Sequence, residues 1–151
     1  MKSSIISTKK QWQIVNLISY LFILLFLYTA TSKILTFRDF KHVLGQSVLV
    51  GRYNTLIAWT IPTAEIIIGI LLIFPKTKKS GLIASLALMV IFTAYLTYMI
   101  NSGSRLPCRC GGVISGLSWK NHIIFNFILT ALAALGLGLF RNASSVISYN
   151  N

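Results

Sequence analysis

Acidic residues are almost absent from this sequence. Its 151 residues include two acids, Asp39 and Glu65, against 14 lysines and arginines. Charged residues of both signs make up 11% of the chain, whereas a water-soluble globular domain carries about a quarter. The basic residues fall in short clusters between long apolar runs. This pattern favours contact with anionic lipid headgroups and argues against nucleic acid as a partner.

Motifs of common soluble enzymes are also missing. The chain contains no glycine-rich nucleotide-binding loop and no recognisable serine–histidine–acid arrangement, so we expect neither ATPase nor hydrolase activity. No Gly/Ser-rich linker or internal repeat divides it. We therefore predict a single integral membrane domain over residues 1–151.

Four long apolar runs predict transmembrane helices. A helix needs about 20 apolar residues to cross a hydrocarbon core. The runs contain no Lys, Arg or Asp and cover residues 14–30, 56–74, 82–100 and 123–140. The first run could instead be a signal peptide, but it is longer than the usual stretch of about 7 to 15 residues, and three more runs follow. The prediction is an all-α, four-transmembrane-helix bundle.

The segment between the first two runs has the periodicity of an amphipathic helix. Its large apolar residues recur at intervals of three and four, at Ile34, Phe37, Phe40, Leu44 and Val48. Polar residues lie largely between them. This spacing predicts a helix in the membrane interface, and we interpret it as a structural connector rather than a binding element.

The distribution of basic residues predicts the orientation. Four spans place both termini on one side of the membrane, and seven lysines and arginines fall on each side. The short turn at residues 75–81 is the densest basic segment, and short loops weigh most in the positive-inside rule. We therefore expect cytoplasmic termini, with the cysteines on the outer side.

The two cysteines of the chain, Cys108 and Cys110, lie in one short polar loop. A disulfide between such near neighbours requires a bent backbone, which the glycine pair after Cys110 can supply. A bridge across so short a loop should be strained and easily reduced. Arg109, between the sulfurs, favours the thiolate form. The pattern favours a redox-active pair.

Two other interpretations of the cysteines stay open. One is a purely structural disulfide. The other is a metal site in which Cys108 and Cys110 bind Cu(I) or Zn(II) together with His122 or His42. Two sulfurs and one histidine leave a tetrahedral zinc site one ligand short.

Ionisable and polar residues in the spans are candidate functional groups. Glu65 is the one acid within an apolar run, and intramembrane carboxylates usually face a bundle interior or a cavity. We expect Glu65 to carry protons, or to form a buried structural hydrogen bond or ion pair. Lys33 could pair with Glu65 or with a lipid phosphate.

One face of the fourth span carries Trp119, His122 and Asn126, at i, i+3 and i+7. His122 could exchange a proton with a reacting thiol, because imidazole titrates near neutral pH. Asn126 could hydrogen-bond across helices, with Glu65 as one partner. Trp119 has the weakest functional case, since tryptophan commonly anchors helices at the interface.

With these residues the sequence resembles the MauE/DoxX group of redox-associated bacterial membrane proteins, in particular the MauE-like branch found widely in Bacteroidetes. The resemblance extends from about Leu17 to Leu137. Its most specific part is the Cys-x-Cys-Gly-Gly loop followed by Leu117-x-Trp119-x-x-His122-x-x-x-Asn126. Two further segments agree, Ala30-Thr-Ser-Lys33-Ile and Pro62-x-x-Glu65.

The resemblance implies a DoxX-like bundle in the bacterial inner membrane, with the cysteine loop in the periplasm. MauE is associated with maturation of a disulfide-rich methylamine dehydrogenase subunit. By analogy, Cys108 and Cys110 would exchange electrons with a thioredoxin-like protein or a periplasmic disulfide-containing protein, as a thiol–disulfide oxidoreductase. Passing electrons to a quinone would require a direct cysteine-to-quinone step or another protein.

Two alternative functions come from other classes. One is a non-enzymatic membrane partner or a Cu/Zn-binding accessory protein. The other is a small subunit of a quinone-reducing complex, with quinone bound near Glu65.

Overall fold

A computed structural model describes residues 2–47, 49–101 and 119–149, with side chains described for 9–47, 49–99, 101 and 121–142. Within these ranges the chain is helical and contains no strand, which confirms the predicted all-α class. A single 3₁₀ turn, Gly51–Tyr53, precedes the third α-helix. The α-helices are α1 (Lys2–Leu35), α2 (Phe37–Gly45), α3 (Asn54–Ile73), α4 (Lys78–Asn101) and α5 (Trp119–Tyr149).

Four of these segments are long and apolar enough to cross a membrane, as predicted. They are Lys9–Leu35, Gly51–Ile73, Lys78–Met99 and Asn121–Asn142. The first span continues to Leu35, beyond the predicted end at residue 30, because Lys33 turns into the bundle and is buried there. The chain is a multi-pass membrane protein.

The four long helices form a closed ring. α1 packs against α3 and α5, and α4 packs against the same two helices, so α1 and α4 lie diagonally opposite each other. Phe22 and Phe26 of α1, Leu72 of α3 and Leu82 of α4 are core residues with almost no exposed surface. The outer faces carry large exposed apolar side chains, such as Leu24, as helices in lipid require.

The predicted amphipathic connector is present as α2. Phe40 and Leu44 are buried and pack with Ala58 of α3 in a small apolar cluster. The Phe37 and Trp59 ring centroids are 4.8 Å apart. α2 therefore lies against the beginning of α3, while Val48, the last residue of the predicted pattern, lies outside the described residues.

Contacts between helix ends define the two ends of the bundle. Ser47, which follows α2, donates its hydroxyl to the Met99 sulfur near the end of α4, at 3.8 Å. At the opposite end, Lys78 Nζ donates to Asn16 Oδ1 at 2.7 Å. The α1–α3 connection and residues 102–118, which join α4 to α5, therefore attach to the same end, called the connector end below.

Gly81 marks a close approach of α4 to α3. A Cβ atom at this position would lie 2.9 Å from Leu72 Cδ2 and 3.1 Å from the Leu71 carbonyl carbon. We expect Gly81→Ala to lower the free energy of unfolding by about 1–3 kcal/mol, because backbone atoms cannot easily move aside. The measurement is equilibrium unfolding in detergent micelles.

Gly69 of α3 provides the matched control for this substitution. A Cβ atom there would meet no neighbouring atom within 4 Å. Gly69→Ala should leave stability unchanged or raise it by up to about 1 kcal/mol, since alanine favours helix more than glycine does. Equal destabilisation by both substitutions would contradict the close packing at Gly81.

Candidate functional site

An ion pair links α1 and α3 inside the bundle. Lys33 Nζ donates to Glu65 Oε1 at 2.7 Å, and the two side chains are 4% and 1% exposed. The predicted pairing of these residues is therefore present in the structure. Each charge compensates the other in a place where an isolated ion would be strongly unfavourable.

The second carboxylate oxygen of Glu65 is in a different situation. Oε2 is buried and has no hydrogen-bond partner among the described residues. Thr29, one turn before Lys33 on α1, lines the same cavity but donates its hydroxyl to the Phe26 carbonyl at 3.3 Å. A buried acceptor left without a partner costs about 1–3 kcal/mol. The site therefore retains an unused hydrogen-bond acceptor.

Two aromatic rings lie near the ammonium group of Lys33. Its Nζ atom lies 6.0 Å from the Phe40 ring centroid on α2 and 5.7 Å from the Phe92 ring centroid on α4. Both distances lie near the limit of about 6 Å for cation–π attraction. The lysine thus contacts three other helices, because its carboxylate partner is on α3.

A cavity of about 90 Å³ adjoins the ion pair. All five helices contribute to its lining. Most of the wall is apolar, and several aromatic side chains are included. Its polar side chains are Thr29, Lys33, Glu65, Tyr95, His122 and Asn126. Since a water occupies about 30 Å³ in the liquid, the cavity has room for about three waters.

His122 and Asn126 bring α5 to this cavity, and both are buried. They share one helix face, as predicted. Asn126 Nδ2 donates to the His122 carbonyl at 3.1 Å, and no hydrogen bond joins it to Glu65 among the described residues. The amide reaches back one turn along its own helix, so Asn126 and Glu65 share a cavity without a direct bond.

Several lining residues were not anticipated from the sequence. Tyr95 and Phe92 of α4 lie in a run that is apolar on all sides, so no periodicity indicates which face turns inward. Thr29 could have been predicted as a lining residue, because it precedes Lys33 by four residues and therefore shares its helix face.

Several of the other predicted functional residues lie outside the described part of the chain. Cys108 and Cys110 belong to residues 102–118, outside the described residues. Trp119 begins α5, but its side chain also lies outside the described part. His42 is exposed on α2, whereas His122 is buried in the cavity. The described residues contain no group of three potential metal ligands, and the alternative metal site depends on the cysteines.

The family model described as "Methylamine utilisation protein MauE" matches residues 11–139. This range includes the cavity-lining residues and the cysteine segment. No curated protein and no solved structure matches the chain.

Proposed function

The chain belongs to the MauE family, and from this premise we propose that it is a membrane thiol–disulfide redox protein whose redox pair is Cys108 and Cys110. The family description names methylamine utilisation. One observation carries the proposal: the segment holding both cysteines joins α4 to α5 at the connector end, where His122 and the other polar residues line the cavity.

The chemistry requires only the two thiols and a partner disulfide. A thiolate of the pair attacks one sulfur of the partner, forming a mixed disulfide and releasing the other partner sulfur as a thiolate. The second cysteine then attacks the first, so that the pair becomes a disulfide and the partner a dithiol. The reverse sequence oxidises the partner. The partner class is a thioredoxin-like or periplasmic disulfide-containing protein.

The redox equilibrium of the cysteines tests this function. Purified protein would be equilibrated in dithiothreitol buffers of graded potential, alkylated and analysed by mass. We expect both cysteines to change state together in one two-electron transition, as a dithiol/disulfide pair does. Full alkylation of both thiols at every potential would contradict the proposal.

His122 is proposed to exchange protons with the reacting thiol. It is buried in the first turn of α5, next in sequence to the segment that holds the cysteines. We expect His122→Gln to slow thiol–disulfide exchange by about 100-fold near neutral pH, the typical effect of losing a positioned base, and to flatten the pH–rate profile.

Two further measurements distinguish proton exchange by His122 from a purely structural role of this residue. The control is Asn121→Gln, at the neighbouring exposed position, which should leave the rate unchanged. The midpoint potential of the cysteine pair should also stay the same in His122→Gln, because proton transfer affects the rate rather than the equilibrium. Equal rates for His122→Gln and the parent protein would remove His122 from the mechanism.

The proposed location is the bacterial inner membrane, with cytoplasmic termini and a periplasmic cysteine loop. Basic residues fall equally on the two sides by number, and Lys33 is one of the seven on the connector side. Lys33 is buried inside the bundle and therefore does not count as a loop residue, whereas Lys76 and Lys79 are exposed at the other end. The positive-inside rule therefore favours a cytoplasmic position for the end opposite the connector end, which carries both termini.

A further inference from the structure

The end of the bundle opposite the connector end carries basic side chains and no acidic ones. It includes the beginning of α1, the end of α5 and the α3–α4 turn, and it is called the turn end below. The two acids of the chain lie elsewhere, since Glu65 pairs with Lys33 inside the bundle and Asp39 belongs to α2. The basic residues of the turn end are Lys2, Lys9, Lys10, Lys76, Lys78, Lys79 and Arg141. Their charges therefore have no acidic side chain to compensate them.

The α3–α4 turn holds three of these lysines on an ordered backbone. Thr77 donates its hydroxyl to the Leu71 carbonyl at 2.8 Å, and its amide donates to the Phe74 carbonyl at 3.2 Å. Lys76 precedes Thr77, Lys79 follows two residues later, and both lysines are exposed. Two exposed ammonium groups thus belong to one preorganised turn, which lowers the entropy cost of binding an anion there.

Lys78 adds a buried positive charge to the same turn. It is 9% exposed, and its Nζ atom donates to Asn16 Oδ1 of α1 at 2.7 Å. The ammonium group has three N–H donors, and the amide oxygen of Asn16 carries no net charge. A buried charge is unfavourable unless an opposite charge lies near it. An anion bound at the turn would supply this compensation.

The lipid-facing surface of the bundle continues up to the turn. Ile73 and Phe74, which come just before Lys76, are 54% and 57% exposed. Ile83 is also exposed and lies one helical turn after Lys79, on the same face of α4. Apolar surface and ammonium groups therefore adjoin, in the order in which a phospholipid presents its acyl chains and its headgroup. A soluble acidic protein would match the charges alone.

We propose that the turn end binds an anionic phospholipid, with its phosphate at Lys76 and Lys79 and its acyl chains against Ile73 and Phe74. Lys78 contributes a third positive charge from its buried position. The site favours an anionic headgroup over a zwitterionic one, because the choline group of the latter would bring a further positive charge to the lysines. This binding is independent of the cysteines and of the redox function.

Native mass spectrometry of the full chain tests the site. Protein in detergent micelles would be titrated with phosphatidylglycerol or with phosphatidylcholine of identical acyl chains, and the lipids bound per protein would be counted. One basic residue near an anionic lipid surface contributes roughly fivefold to binding. We therefore expect phosphatidylglycerol to bind at least about tenfold more tightly. Equal affinity for the two lipids would overturn the proposal.

A pair of double variants locates the binding. Lys76→Gln/Lys79→Gln should weaken phosphatidylglycerol binding at least about tenfold and leave phosphatidylcholine binding unchanged. The matched control, Arg38→Gln/Arg52→Gln, removes two exposed positive charges at the connector end and should bind like the parent protein. All four side chains are exposed, so circular dichroism should show unchanged helix content. Equal loss in both double variants would reveal an effect of net charge alone and would contradict a site at the turn.

Two further measurements define what the site recognises. Lys78→Gln keeps a donor for Asn16 but removes the charge, and should weaken phosphatidylglycerol binding about fivefold; unchanged binding would remove Lys78 from the site. Inorganic phosphate carries the charge without acyl chains and should displace phosphatidylglycerol poorly. Displacement by inorganic phosphate at concentrations equal to those of the lipid would show a site for free anions and overturn the assignment to a phospholipid.

Discussion

Glu65→Leu should lower the free energy of unfolding by about 3–5 kcal/mol, the usual effect of removing one partner from a buried ion pair. The substitution leaves the Lys33 ammonium without its carboxylate, in a position where the lysine side chain is 4% exposed. Lys33→Met should destabilise in the same way, because it leaves a 1% exposed carboxylate unpaired. Equilibrium unfolding of each variant in mixed detergent micelles measures the effect.

The double variant Lys33→Met/Glu65→Leu separates loss of the pair from isolation of one charge. Apolar replacement of a buried ion pair is often neutral or stabilising, so the double variant should be more stable than either single variant. Lys79→Met is the control for loss of a positive charge, since Lys79 is exposed; its effect should stay within about 0.5 kcal/mol. Additive losses in the double variant would contradict direct coupling between Lys33 and Glu65.

Cys108→Ser and Cys110→Ser should each abolish turnover in thiol–disulfide exchange. The remaining cysteine could form a mixed disulfide with a substrate, but it would have no neighbouring thiol to resolve it. Both substitutions lie in residues 102–118, between α4 and α5, so membrane insertion and helix content should be unchanged. The measurement is the rate of disulfide reduction in a thioredoxin-like substrate by the reduced protein.

The product distribution provides a second observation on the same variants. A single-cysteine protein should accumulate as a mixed disulfide with the substrate, whereas the parent protein should release reduced substrate. The Cys108→Ser/Cys110→Ser double variant is the control and should form no adduct. Full turnover by both single variants would show that the two residues do not act as a pair.

The long helices could be predicted from the sequence because each apolar run has the length of a bilayer crossing. Their end positions were less predictable, and Lys33 shows why. A lysine after an apolar run normally marks its boundary with water, but here α1 continues past Lys33 because Glu65 compensates the charge from another helix. That compensation becomes visible only when α1 and α3 are packed together.

The ion pair could also be predicted from the sequence, because Glu65 is the one acid in the four spans and Lys33 follows the first predicted span closely. The cavity could not be predicted from the sequence. In helices that are apolar on all sides, periodicity does not indicate whether a residue such as Tyr95 faces the interior or the lipid. The hydrogen bond of Asn126 within its own helix could not be predicted either, since an asparagine amide can bond within or between helices.

The most direct test of the redox account traps Cys108 and Cys110 in intact cells with a membrane-impermeant maleimide, before and after mild reduction. Mass analysis then counts the labels on the protein. The account predicts no label before reduction and two labels after it, which would place a reducible disulfide on the outer side of the membrane. Absence of labelling until the cells are lysed, even after reduction, would contradict a periplasmic thiol–disulfide protein.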